Sequence, residues 1–313
     1  MAPTFVIAQG GGPTAVINQT MVGAALEARR QHPGCRVLGA RFGVRGIRDG
    51  DYVDLSLQTE DALLRIAATP SAALGSTRDK PDAAYCELIL QGLREVDADA
   101  FIYIGGNDTS GTQAILRDAA GSSIAFVHAP KTIDNDLMEN DHTPGFISAG
   151  EFVASAFLSV DLDFRALPGI YCGIVMGRHA GFLTAASAAW RLDEESGPHL
   201  VYVPERSFER ARFVDDIKKT ARHGRCIVAL SEGITSPSGK SLVEELTSHD
   251  RLEYDAHGNV KLSGTDLAHA IEHILAEDLK GQRARVDTFG YLPRGNIGVI
   301  NKVDAREAFE AGL

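Results

Sequence analysis

A lysine and two carboxylates lie within the six-residue segment Lys131-Thr-Ile-Asp134-Asn-Asp136. An aspartate so placed can accept the proton of an attacking hydroxyl, while a lysine and Mg²⁺ neutralise the oxygens of a transferred phosphoryl group. The same residues also fit an Asx-turn that carries a surface lysine, which is a structural interpretation without chemistry. The hexapeptide by itself leaves both interpretations open.

Two glycine-rich segments precede this hexapeptide, Gly10-Gly-Gly12 and Gly105-Gly106. Glycine turns that lead into a helix let backbone amides approach a phosphate. Neither segment has the dinucleotide or P-loop spacing, which disfavours a dehydrogenase and a P-loop enzyme. Asn107 and Asp108 follow the second turn and are either helix caps or ligands of a divalent cation that offsets the carboxylate beside a phosphate.

Three further clusters follow later apolar runs. Met176-Gly177-Arg178 can bind an anion or simply end a sheet, and Glu232 can hold sugar hydroxyls or simply end a strand. Arg285 and the pair Tyr291 and Arg294 combine guanidinium groups with a phenol, a set that suits a phosphomonoester. Taken alone, each cluster is explained more simply by structure than by function.

Short apolar runs end at these glycine turns. Residues 4–8, 100–104 and 170–175 read as buried strands, and helical patterns follow them. This alternation predicts parallel sheets with crossover helices, in which ligands bind beyond the carboxyl ends of the strands. We therefore expect an α/β protein of two packed Rossmann-like lobes with largely parallel sheets and an active site in the cleft between the lobes. The other predicted elements are helices near 14–30, 62–68, 83–95, 109–118 and 151–163, and strands near 36–40, 123–128, 200–203 and 226–230.

Composition excludes several classes of protein. The 313 residues are 44% hydrophobic and carry a net charge of −11, which disfavours disorder and broad binding to nucleic acid or an anionic membrane. No apolar run is long enough to span a bilayer, and residues 1–9 lack the features of a signal peptide. The four cysteines form no CxxC pair, so we expect reduced, buried thiols and a cytoplasmic protein.

Taken together and in this order, the clusters resemble the phosphofructokinase family over essentially the whole chain. Two positions sort that family by phosphoryl donor. Family members that use ATP typically carry glycine where this sequence has Asp108 and Lys131, so the sequence resembles the pyrophosphate-dependent branch. A carboxylate at 108 would occupy and repel the space of an ATP α-phosphate, and an ammonium at 131 adds positive charge beside a small donor.

The resemblance implies roles for the residues at the reacting end. Asp134 is expected to be the general base for the sugar's 1-hydroxyl, Asp136 to support that loop, and Gly12 and Lys131 to contact pyrophosphate. Mg²⁺ is the implied cofactor. Asn107 stands where relatives usually carry an aspartate near the metal, and Asp108 is the adjacent candidate ligand.

The resemblance also implies a sugar-phosphate site. Arg78 matches an arginine that faces the transferred phosphoryl group, and Arg285 matches one that reaches the 6-phosphate, in many relatives from a neighbouring subunit. The other residues that match this site are Thr132, Met176, Gly177, Arg178, Glu232, Tyr291 and Arg294.

The expected reaction is phosphoryl transfer from pyrophosphate to the 1-hydroxyl of fructose 6-phosphate by a homo-oligomer, a dimer or a tetramer. Residues 1–145 with 293–313 are expected to form the pyrophosphate and magnesium lobe, and residues 146–292 the sugar-phosphate lobe. The alternatives are an ATP-dependent 6-phosphofructokinase and a pyrophosphate enzyme for another ketose phosphate such as sedoheptulose 7-phosphate. A non-catalytic regulatory subunit that binds sugar phosphate is disfavoured, because Asp134 and Asp136 are both present.

Overall fold

The computed structural model describes residues 2–246 and 264–313. The chain forms two compact units, here called the first and the second unit. The first unit contains Met1–Ile133, Leu137–Ala149 and Arg294–Leu313, and the second contains Asp134–Asp136 and Gly150–Pro293.

The first unit is built on a five-stranded sheet of order β3-β2-β1-β4-β5. Neighbouring strands are parallel except β3, which runs antiparallel to β2 at the edge of the sheet. The sequence pattern missed β3 because three half-buried residues carry no periodicity. The strands are β1 (Thr4–Gln9), β2 (Arg36–Ala40), β3 (Tyr52–Asp54), β4 (Ala100–Gly105) and β5 (Ala125–Pro130).

Helices cover both faces of this sheet because successive strand residues face opposite sides. Val6 and Phe101 pack into one hydrophobic cluster with residues of α2, α4 and α5, whereas Ile7 and Ile104 pack into another with α1 and α3. The helices are α1 (Ile17–Gln31), α2 (Val44–Asp49), α3 (Glu60–Ala67), α4 (Ala83–Glu95) and α5 (Asn107–Ala120).

The second unit contains a four-stranded parallel sheet of order β7-β8-β6-β9. Ile170, Cys172 and Ile174 of β6 pack with Phe213 and Ile271 in its main core. The strands are β6 (Gly169–Val175), β7 (Leu200–Tyr202), β8 (Arg225–Ser231) and β9 (Ala284–Thr288). The helices in this part of the sequence are α6 (Phe146–Ala166), α7 (Phe182–Ala186), α8 (Arg210–Ala221), α9 (Leu242–Leu246) and α10 (Gly264–Asp278).

The last helix, α11 (Lys302–Glu310), belongs to the first unit and packs against α1. Its buried Asp304 accepts hydrogen bonds from the backbone N–H groups of Gly145 (2.8 Å) and Ser148 (3.0 Å). Gly145 in turn forms a parallel bridge with Thr132. Helix α11 therefore anchors the segment that pairs with the predicted catalytic loop.

These sheets confirm the predicted α/β class with largely parallel strands. Among the residues that the structure describes, no helix is long and apolar enough to cross a membrane. All four cysteines are buried free thiols, as predicted.

Candidate active site

The glycine turn after β1 is held between two neighbouring segments. The N–H of Gly10 donates to the carbonyl of Ile104 (2.8 Å), and that of Gly11 donates to the carbonyl of Thr77 (2.9 Å). A Cβ on Gly12 would lie 2.8 Å from the Cζ atom of Arg294, so a larger residue here would require this guanidinium to move. The turn thus presents bare backbone next to a positive charge, a combination that suits a phosphate.

Lys131 connects the two glycine turns. Its backbone N–H donates to the carbonyl of Gly105 (3.0 Å), and its Nζ donates to the carbonyl of Gly12 (2.6 Å). The residue is 3% exposed. Packing therefore fixes the position of this ammonium. The first unit brings Gly12 and Lys131, predicted to contact pyrophosphate, next to Arg294, which was predicted to contact the sugar phosphate.

Burial alternates along the predicted catalytic loop. Ile133 and Asn135 are buried, whereas Thr132, Asp134 and Asp136 keep accessible surface. Asn135 has a φ of 56°, a left-handed conformation that asparagine tolerates better than most residues. The loop thus leaves Thr132, Asp134 and Asp136 partly accessible, although Oδ1 of Asp134 itself is buried.

The second glycine turn leads directly into α5. The helix begins at Asn107, two residues earlier than the pattern predicted, with Gly106 as its N-cap. Asn107 and Asp108 are therefore exposed residues of the first helical turn, where backbone N–H groups that have no intrahelical acceptor carry partial positive charge. The Asp108 carboxylate also lies 3.2 Å from the Nζ of Lys80, a residue that the sequence reasoning did not single out.

The loop that carries Arg78 and Lys80 is anchored by the residue between them. The Asp79 carboxylate accepts two hydrogen bonds from Arg45 (2.7 and 2.6 Å) and one from the Tyr85 hydroxyl (2.9 Å). These contacts, with Arg45 first, lower the pKa of Asp79 to about 2. Asp79 is partly buried, whereas its two basic neighbours are exposed.

Two predicted sugar-phosphate segments meet at the carboxyl ends of β6 and β8 in the second unit. The carbonyl of Gly177 accepts hydrogen bonds from the Ser231 hydroxyl and from the N–H of Gly233 (3.2 Å). A Cβ on Gly233 would lie 1.9 Å from the carbonyl oxygen of Arg178. This junction brings Met176, Gly177 and Arg178 next to Glu232, at the end of the sheet where α/β proteins bind ligands.

Arg285 does not join that junction within one chain. It lies on the edge strand β9, in register with Tyr171 of β6. Met176 follows Tyr171 by five positions, which is about 16 Å at roughly 3.3 Å per residue of strand. Arg285 is exposed and lines two cavities of 510 and 350 Å³ along β9. Tyr291, also predicted for the sugar phosphate, is 68% exposed.

The donors for a metal ion are few. Within residues 2–246 and 264–313, no three His, Cys, Asp or Glu side chains come together as a metal site. Mg²⁺ typically takes one or two carboxylates from the protein and completes its shell with water and substrate phosphates. The Asp108 carboxylate and the Asn107 amide oxygen fit an ion that arrives with a phosphate substrate.

The chain is similar in sequence to several known proteins. The chain is 52% identical over 312 residues to a pyrophosphate–fructose 6-phosphate 1-phosphotransferase of Rhodospirillum rubrum, covering 98% of this chain and 77% of that protein. It is 33% identical to a protein of the same name from Xanthomonas campestris, covering 98% of this chain and 74% of the relative.

The fold is likewise shared with a solved structure. The crystal structure of a pyrophosphate-dependent phosphofructokinase from Nitrosospira multiformis superposes with a TM-score of 0.84 at 28% identity, covering 100% of this chain and 75% of the other. The sequence profile described as phosphofructokinase matches residues 4–306. The chain therefore belongs to the phosphofructokinase family.

Proposed function

We propose that the protein transfers a phosphoryl group from pyrophosphate to the 1-hydroxyl of fructose 6-phosphate, forming fructose 1,6-bisphosphate and phosphate. The observation that carries this proposal is the buried Lys131, whose ammonium lies 2.6 Å from the carbonyl of Gly12. It supplies a fixed positive charge at a glycine turn with little room for side chains. The names of the relatives from Rhodospirillum and Xanthomonas support the same donor and acceptor.

The first unit takes the donor in this proposal. Gly12 and Lys131 contact pyrophosphate, and Arg78 faces the phosphoryl group that moves. Asp108 excludes ATP, because a carboxylate at the first turn of α5 would repel an α-phosphate. Backbone N–H groups at that helix start favour the phosphates.

Asp134 is the proposed general base. It accepts the proton of the 1-hydroxyl as the hydroxyl oxygen forms its bond to phosphorus and the bridging P–O bond of pyrophosphate breaks. Inorganic phosphate leaves with the bridging oxygen. Asp136 supports the loop, in which the buried Asn135 lies between the two aspartates.

The second unit takes the sugar phosphate. Met176, Gly177, Arg178 and Glu232 contact it at the junction of β6 and β8, and Tyr291 belongs to the same unit. Thr132 and Arg294, which belong to the first unit, are also assigned to the sugar phosphate. Arg285 is exposed on an edge strand and lies far from Met176 in its own chain. We therefore assign it to the active site of a neighbouring copy, which makes the protein a homo-oligomer.

Asn107 and Asp108 are the residues that would hold Mg²⁺. When bound with pyrophosphate, the ion supplies positive charge that neutralises the phosphoryl oxygens. The cytoplasm is the proposed compartment, because four buried free thiols suit reducing conditions.

The test is a product assay with fructose 6-phosphate that compares pyrophosphate with ATP at fixed Mg²⁺. Formation of fructose 1,6-bisphosphate with pyrophosphate, and negligible formation with ATP, is the expected result. Sedoheptulose 7-phosphate is assayed in parallel as the competing acceptor. Higher activity with ATP would overturn the donor assignment, and no turnover with either donor would favour a non-catalytic subunit.

A further inference from the structure

We propose that His128 is a positioning residue of the donor site, which holds the start of α5 next to Lys131 through the carbonyl of Gly105. The inference rests on the proposed function, because it explains what fixes the helix start that is assigned to pyrophosphate. His128 lies on β5, shortly before Lys131 in the chain. In this account its imidazole acts on the backbone of the glycine turn and not on the reacting atoms.

The carbonyl of Gly105 accepts two hydrogen bonds. Nε2 of His128 lies 2.9 Å from this oxygen, and the backbone N–H of Lys131 donates to it at 3.0 Å. Because a carbonyl oxygen can only accept, Nε2 of the imidazole carries the hydrogen. One oxygen at the end of β4 is therefore held both by a side chain of β5 and by the backbone that follows β5.

The turn at Gly105 depends on such bonds because of its composition. Glycine has the greatest backbone freedom of all residues, and Gly106, the N-cap of α5, has no side chain that could bond the first N–H groups of the helix. A Cβ on Gly105 would lie 2.6 Å from Cβ of Thr109, so a larger and stiffer residue would require the first turn of α5 to move. The imidazole of His128 restrains the turn from outside.

The charge of His128 suits this position. Burial lowers the pKa of its imidazole below 6.5, and the positive charge of Lys131 acts in the same direction, whereas the hydrogen bond to Gly105 opposes both. The ring is therefore neutral at neutral pH. It donates a hydrogen bond without placing a second positive charge close to the ammonium of Lys131.

The turn joins the groups that are proposed to act on the donor. Lys131 bonds Gly105 through its backbone and Gly12 through its Nζ (2.6 Å), and Asn107 and Asp108 begin the helix directly after the turn. Loss of the imidazole leaves the backbone bond in place, so the turn should persist but vary more in position. Pyrophosphate binding should weaken, whereas the sugar phosphate, assigned mainly to the second unit, should bind as before.

The experiment compares three substitutions of His128. The amide nitrogen in His128→Gln can reach the place of Nε2, the shorter side chain in His128→Asn cannot, and His128→Phe fills the space of the ring without a donor. Binding of methylenediphosphonate, a pyrophosphate analogue that is not cleaved, is measured by calorimetry at fixed Mg²⁺. The KM values for pyrophosphate and for fructose 6-phosphate are measured with it.

The Asn and Phe variants should lose donor affinity, and the Gln variant should keep it. In His128→Asn and His128→Phe the dissociation constant of the analogue and the KM for pyrophosphate should rise roughly three- to tenfold, the effect of one lost hydrogen bond. In His128→Gln both should stay within about twofold of the wild type. The KM for fructose 6-phosphate should be unchanged in all three variants.

His199→Asn provides the matched control. His199 is also half-buried, and its Nε2 lies 3.2 Å from the carbonyl of Glu195. Its Nδ1 accepts a hydrogen bond from the N–H of Ile227 (2.9 Å), toward the other end of β8 from Ser231. This substitution should leave analogue binding and both KM values unchanged. Melting curves of all variants show whether a loss of affinity follows from a loss of stability.

Two outcomes would overturn the role of His128 while leaving the proposed function intact. One is unchanged analogue binding in both His128→Asn and His128→Phe. The other is an equal loss in all three variants, since the hydrogen bond that glutamine restores would then not be the cause. A wild type that neither binds the analogue nor turns over pyrophosphate would instead overturn the proposed function and this inference together.

Discussion

At the scale of single residues, Asp134 is the proposed general base, whereas Asp136, two positions later, is proposed to support the loop. Asp134→Asn should lower kcat by about 10²–10⁴-fold, because a positioned general base contributes that much. The KM for fructose 6-phosphate should change little. Steady-state kinetics check this, with a melting curve as the control for folding. A variant that retains more than a tenth of wild-type kcat would remove Asp134 from the role of base.

The donor switch is the second residue-scale prediction. Asp108→Gly removes a negative charge from the path of an α-phosphate and should allow measurable ATP binding. Lys131→Gly removes the ammonium that is bound to the carbonyl of Gly12, and the double variant should lose most pyrophosphate activity. The two effects should not add, because both residues face the same donor. Steady-state kinetics with pyrophosphate and with ATP, on the wild type and the three variants, test this prediction. We do not expect any variant to use ATP as well as the wild type uses pyrophosphate.

Substitution of Arg294 tests whether this residue binds the sugar phosphate or pyrophosphate. The family resemblance assigns it to the sugar phosphate, whereas its guanidinium lies against Gly12 of the proposed donor turn. Arg294→Ala should raise the KM for the sugar phosphate by roughly 10- to 150-fold, the equivalent of about 1.5–3 kcal/mol for a charge-assisted contact. A rise confined to the KM for pyrophosphate would instead make Arg294 a donor residue.

At the scale of elements, two buried aspartates should respond to pH in opposite directions. Burial of Asp304 raises the pKa of its carboxyl, whereas Asp161, although burial opposes it, has its pKa lowered by hydrogen bonds from Arg225 and Arg165. The raised group contributes stability that is complete below its unfolded pKa of 3.8 and is lost as pH rises through its folded value. The lowered group contributes stability above 3.8 that is lost as pH falls further.

Asp304→Asn and Asp161→Asn turn this contrast into a measurement. The melting-temperature advantage of the wild type over Asp304→Asn should be largest near pH 4 and decline toward neutral pH. The advantage over Asp161→Asn should be steady from neutral pH down to about 4 and decline only below it. Thermal unfolding across this pH range provides the data. If the melting temperatures of the two variants depended on pH in the same way, the opposite pKa shifts assigned to Asp304 and Asp161 would be contradicted.

At the scale of the whole molecule, the proposal that Arg285 serves a neighbouring copy predicts complementation between inactive sites. Arg285→Ala should raise the KM for the sugar phosphate. In an oligomer co-expressed from Arg285→Ala and Asp134→Asn chains, some sites contain an intact Asp134 and receive an intact Arg285. Such mixtures should recover activity at low sugar phosphate concentration. If the co-expressed mixture is no more active than the two separately purified variants added together, the shared site is contradicted.

Local patterns in the sequence predicted most of the first unit. The helix from Ala83 to Glu95 and the strand from Arg36 to Ala40 have the predicted bounds, since apolar spacing and turn residues act over a few positions. The glycine turns and the Lys131–Asp136 segment were likewise visible, because each motif is contiguous. Helices α8 and α10 and the strand β9 were not predicted. The partly exposed β9 is an edge strand, which has less need of a continuous apolar run.

The tertiary structure alone decided which distant residues meet. Lys80 and Asp108 lie on different elements, and Gly12 and Arg294 are separated by almost the whole chain. Asp304 reaches Gly145 from the last helix. Such pairs leave no periodic signal in the sequence, because they depend on how sheets and helices pack and not on local backbone preference. The sequence by itself thus determined the family and the α/β class and predicted the chemistry of each motif, whereas packing determined the partner of Asp108 and the separation of Arg285 from Met176.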